Sequence, residues 1–96
     1  MKHAGPEALD GIEELLAKLR KHAVLTERKR GTFYLKSSAF LHFHEDPAGM
    51  FADVKIAGDF QRFRVSTRAE QAAFLREVAT ALAPPAAPSR DTRRGA

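Results

Sequence analysis

A chain of 96 residues, 44% of them hydrophobic, can bury one modest core and is too short for two. It has no cysteine, which excludes a disulfide framework and any thiolate metal centre. The formal charge of +4 admits an anionic partner without demanding one, because Arg90, Asp91, Arg93 and Arg94 supply a net +2 of it.

Met1 to Pro6 lacks the apolar run of a signal peptide, and no later stretch approaches the ~20 apolar residues of a membrane span. The expectation is a cytoplasmic protein with no membrane partner. From Pro6 to His22, Leu9, Ile12, Leu15, Leu16 and Leu19 recur at the three-and-four spacing of an amphipathic helix. Pro6 stands at its first turn, Glu7 and Asp10 come early, and Lys18, Arg20 and Lys21 come late, an order that suits the helix dipole. Thr26 to Gly31 reads as a polar connector. Its Arg28-Lys29-Arg30 run is shorter than the basic runs that mark nucleic-acid patches, so it reads as a solvated loop.

Thr32 to Leu35 is a short β-prone run, and Lys36-Ser37-Ser38 turns it into a longer strand from Ala39 to His44. Side chains alternate along a strand, so Leu41 and Phe43 share one side while Phe40, His42 and His44 share the other. Met50 to Ile56 repeats the pattern, with Ala52, Val54 and Ile56 on one side and Phe51, Asp53 and Lys55 on the other. Glu45-Asp46-Pro47-Ala48-Gly49 between them has the residues of a turn. Keeping both apolar sides on one face sets Phe43 opposite Ala52, Leu41 opposite Val54 and His42 opposite Asp53. A slip of one residue would turn every apolar side chain to solvent, whereas slips of two stay open. Phe33 then faces Leu41.

After a turn at Ala57-Gly58-Asp59, the run Phe60 to Val65 reads as a fourth strand, with Val54 opposite Phe63 and Ala52 opposite Val65, which sets Asp53 beside Arg64. Thr67-Arg68-Ala69-Glu70 is a capping box that opens a helix. Phe74, Leu75, Val78, Ala79 and Leu82 form its apolar stripe, and Pro84-Pro85 ends it. The predicted fold is α+β, a two-layer sandwich of a four-stranded antiparallel meander flanked by an N-terminal and a C-terminal helix, in the order αββββα. Residues 1–83 form one domain, and 84–96, rich in Pro, Ala and Arg, should be a disordered tail.

If both helices cover the side bearing Leu41, Phe43, Ala52 and Val54, the other side displays Tyr34, Lys36, Phe40, His42, His44, Phe51, Asp53, Lys55, Arg62 and Arg64. Contiguous aromatics rimmed by charge resemble an interface core and rim. The first expectation is therefore a binding or self-associating module, a homodimer or a partner for another protein, meeting through Tyr34, Phe40 and Phe51. Single-stranded nucleic acid is an alternative, with bases on the aromatics and Lys36, Lys55, Arg62 and Arg64 on phosphates, although Asp53 stands in the middle. A divalent metal is another. His42 and His44 point the same way and could share an ion with Glu45, Asp46 or Asp53, although a strand histidine facing a carboxylate is more often a structural pair. A third alternative is an enzyme with His42 and Asp53 as base and orienting carboxylate, which would need a nucleophile from Ser37, Ser38 or Tyr34. No cofactor is expected.

The run Phe33-Tyr34-Leu35-Lys36, Ala39 to Asp46, Gly49 to Lys55 and Phe60 to Thr67 resembles a pattern in small bacterial proteins that carry no assigned activity. That resemblance spans about Gly31 to Val78 and implies no catalytic or binding role.

Overall fold

The computed structural model describes residues 1–83, so the expected tail at 84–96 lies outside the described residues. In chain order the elements are β1 (Lys2–His3), α1 (Pro6–Asp10), α2 (Glu13–Leu19), β2 (Leu25–Lys29), β3 (Thr32–Leu35), β4 (Ser38–Asp46), β5 (Gly49–Ile56), β6 (Asp59–Arg64) and α3 (Arg68–Leu82). The α+β class and the antiparallel sheet are as expected. Among the described residues, however, the sheet has six strands instead of four, and there are three helices instead of two.

Both extra strands come from segments with little apolar patterning. Leu25-Thr26-Glu27-Arg28-Lys29, read as a connector, pairs with β3 as the sheet's edge strand, Leu25 opposite Leu35 and Thr26 opposite Tyr34. Its charged side chains suit an edge that should not recruit other chains. At the N-terminus, Lys2 pairs with Glu45 and His3 with His44. One edge of β4 is thus taken by β5, while the other is divided between β3 and β1. The single expected N-terminal helix is two, separated at Gly11 and at Ile12, whose φ of −121° leaves the helical range. Glycine in a helix interior costs about 1 kcal/mol relative to alanine, which favours a break here.

The β4–β5 register is the expected one, with Leu41 opposite Val54, His42 opposite Asp53 and Phe43 opposite Ala52. The β5–β6 register differs by two residues. Val54 faces Gln61, Ala52 faces Phe63, and Asp53 faces Arg62, not Arg64. The cause is the turn. Only Ala57 and Gly58 lie outside the ladder, both with positive φ (53° and 91°), the tight two-residue hairpin form. A shift by two preserves the faces, and the apolar side stays inward.

One core joins the layers. Leu9, Ile12, Leu15, Leu16 and Leu19 from α1 and α2, Phe74 and Val78 from α3, and Phe33, Leu41, Phe43, Ala52, Val54 and Val65 from the sheet side are all buried in it. The expected α3 stripe includes Leu75 and Leu82, which pack partly buried against the core, whereas Ala79 is exposed. The α3 capping box forms as expected, Thr67 Oγ1 accepting from Glu70 N at 3.1 Å and Glu70 Oε1 from Thr67 N at 3.0 Å. A charged staple joins α2 to the β2–β3 hairpin. Arg20 donates to Glu13 and Glu27 at 2.6 Å each, Arg30 reaches Glu13 and Asp10 at 2.8 Å each, and Glu27 also accepts from Gly31 N at 2.9 Å. No helix among the described residues is long and apolar enough to cross a membrane.

Candidate functional site

Alternation along β4 turns His42 and His44 to the uncovered face, the side that no helix among the described residues covers, and β1 sets His3 directly opposite His44. Three imidazoles therefore converge. The rings of His3 and His44 stack with centroids 4.8 Å apart, and those of His42 and His44 meet edge to face at 5.0 Å. One ligand atom from each of the three lies within 4.8 Å of the others.

Asp53 sits beside His44 on the neighbouring strand. It is 7% exposed, the one charged residue buried among those described. Arg62 grips both its oxygens, Nε to Oδ1 at 2.8 Å and Nη2 to Oδ2 at 2.9 Å. That guanidinium holds the Asp53 carboxyl below its usual range, against the opposing effect of burial. Although His42 is the cross-strand partner of Asp53, His44 makes the contact, Nε2 to Oδ2 at 3.2 Å. The pair is diagonal, a distance long side chains bridge.

An ionised carboxylate only accepts, so the His44–Asp53 contact is favourable when His44 Nε2 carries a hydrogen. His42 Nδ1 lies 3.1 Å from the same His44 Nε2, and the tautomers of the two rings set which of them donates. Burial pushes the His42 imidazole below its usual range, more than the opposing effect of Asp53, which favours the neutral ring. Phe60 closes one side, its ring 5.1 Å from His42 and under the Lys55 ammonium at 5.3 Å.

Beside the cluster, where β1 and β3 meet end to end along β4, runs a groove of about 350 Å³ lined by His3, His42, Tyr34, Arg28, Lys29 and Arg30 among others. The basic run read as a solvated loop thus reaches the same place as two of the histidines.

The remaining expected face residues divide. Tyr34 is half-buried with the Arg28 guanidinium 4.3 Å above its ring, Phe51 is half-buried between His44 and Arg64, and Lys55 donates to Ser38 Oγ at 3.1 Å. Arg64 is engaged by Glu70 and by the Ala48 carbonyl. Lys36 is in the β3–β4 turn with φ of 52° and is exposed there, not on a strand. Phe40 is not displayed at all. It is 4% exposed and belongs to the core. Between Phe33–Leu41 and Tyr34–Ala39 the β3–β4 ladder shifts, leaving Phe40 without a partner in β3, and this bulge breaks the alternation so that Phe40 and Leu41 are both buried.

Neither His3 nor Phe60 was among the expected face residues. Phe60 was legible, since it shares its strand parity with Arg62, whereas His3 sits in a two-residue strand that leaves no periodic signal. Compared with protein-family models, curated proteins and solved structures, the chain finds no match.

Proposed function

We propose that this domain is a binding module whose ligand meets the uncovered face of the sheet over β1, β4, β5 and β6. The observation that carries this reading is Asp53, an ionised carboxylate buried in the middle of that face, held by Arg62 and touched by His44, one of three imidazoles that cluster there. Withdrawing a carboxylate from water is costly, and a pair of β-branched residues would hold the strands together with less penalty. Sheet stability therefore gives no reason for the cluster, and a charged or polar ligand does.

Self-association through the same face is the second reading, favoured by Phe60, which is 44% exposed beside His42. With Phe40 in the core, the face lacks one of the three aromatics through which a partner was expected to meet it. The test is amide NMR of the full chain, in a concentration series and with zinc, inorganic phosphate or a short mixed-sequence RNA. Binding on this face should move resonances of β1, β4, β5 and β6 and leave the exposed side of α2 and α3 unmoved. Shifts confined to the helices, or shifts of this face produced by protein concentration alone, would overturn it.

A further inference from the structure

We propose that His3, His42, His44 and Asp53 form a binding site for a divalent transition-metal ion of zinc type. This rests on the uncovered face being the binding face and names what it holds. The argument begins with the spacing. Four donors around zinc at 2.0–2.1 Å lie about 3.3 Å from one another in a tetrahedron. His42 Nδ1 and His44 Nε2 are 3.1 Å apart, and His44 Nε2 and Asp53 Oδ2 are 3.2 Å apart, so two of the donor pairs already stand near that spacing. His3, within 4.8 Å of the other two histidines, is exposed and belongs to a two-residue strand, free to close the remaining distance by ring rotation.

The second argument is the donor set. His44 Nε2 stands within 3.2 Å of both His42 Nδ1 and Asp53 Oδ2, so potential ligand atoms already crowd one place. Binding an ion there requires the His44 hydrogen to sit on Nδ1, which leaves Nε2 a lone pair and the ring neutral. Three neutral imidazoles and one carboxylate are an N/O set suited to zinc or cobalt(II), while hard calcium and magnesium prefer all-oxygen cages. Arg62 is no barrier, because its side chain is 50% exposed and can stay on Asp53 Oδ1 or swing into water.

The fold also explains why the site needs β1. Glu45 accepts from Gly5 N at 2.8 Å and Phe43 O from Ala4 N at 3.1 Å, so the chain after His3 is tied to β4 at two points. These bonds, with Ala4 packed against the core, hold His3 over His44.

The test is calorimetric titration of the full chain with zinc, together with the visible spectrum of the cobalt(II) form. One ion per chain and the intense bands of tetrahedral cobalt are expected. His3→Ala should keep the circular dichroism of the wild type and weaken binding by about tenfold or more. His22→Ala, which changes the one histidine away from the cluster, should bind as the wild type does. Equal affinity in wild type and His3→Ala, or a weak octahedral cobalt spectrum, would overturn the site. If zinc fails while phosphate or RNA still perturbs this face by NMR, the metal site falls and the binding face stands. If none perturbs it, both fall.

Discussion

Two charged clusters flank this sheet, and they are built on different rules. Between α2 and the β2–β3 hairpin, Asp10, Glu13, Arg20, Glu27 and Arg30 alternate acid with base, so each side chain has a partner of opposite charge. On the uncovered face a single buried carboxylate, Asp53, contacts Arg62 and His44, and His44 packs against two further imidazoles. The first cluster connects separate elements, and its charges are satisfied among themselves. The second connects strands already joined by backbone ladders and is crowded with nitrogen around one acid. A cluster made for cohesion balances its charges, and one made for a ligand leaves donor capacity over.

Substitutions can break that contrast, starting with the largest effect. Phe40→Lys sets the scale of a residue the fold cannot spare. Losing a buried phenylalanine costs about 3–5 kcal/mol, and an unpaired ammonium adds to it, so urea denaturation should find this variant largely unfolded. A folded Phe40→Lys would return Phe40 to the open face.

Glu27→Gln tests the balanced cluster. Hydrogen bonding from Arg20 holds the Glu27 carboxyl below its usual range. Its contribution is therefore present above the carboxylate range of the unfolded chain and is lost as pH falls through the lower folded value. The variant should lose about 1 kcal/mol near neutrality, after allowing for solvent screening, and its stability should fall less steeply on acidification. Parallel acid profiles for variant and wild type would show that Glu27 is not part of a cohesive staple.

The smallest effect belongs to the other cluster. In the absence of metal, His3→Ala should change stability by no more than about 0.5 kcal/mol, since the ring is exposed and its strand is held by backbone bonds. A larger loss in denaturant melts would make the imidazole cluster a structural device like its counterpart.

Much of the layout was legible from alternation alone. Leu41, Phe43, Ala52 and Val54 carry enough period-two signal to settle which sides of β4 and β5 share a face, and the simplest register of that parity, with His42 opposite Asp53, is the one that forms. What alternation cannot carry is backbone geometry. Ala57 takes a left-handed conformation usually left to glycine or asparagine, and that shortened the β5–β6 turn and moved Asp53 from Arg64 to Arg62. The bulge at Phe40 and the strands β1 and β2 are set by backbone pairing with neighbours, in segments too short or too polar to show a period. The third imidazole was out of reach for the same reason, because only the pairing of Lys2–His3 with β4 brings it to the other two.

The most direct measurement is the long-range proton–nitrogen NMR spectrum of the four histidine rings during a zinc titration. If the three imidazoles of the uncovered face hold an ion, the ring nitrogens of His3, His42 and His44 should shift together and saturate at one ion per chain, with His22 unmoved. Movement of His22 alone, or equal and unsaturated drift of all four rings, would contradict it.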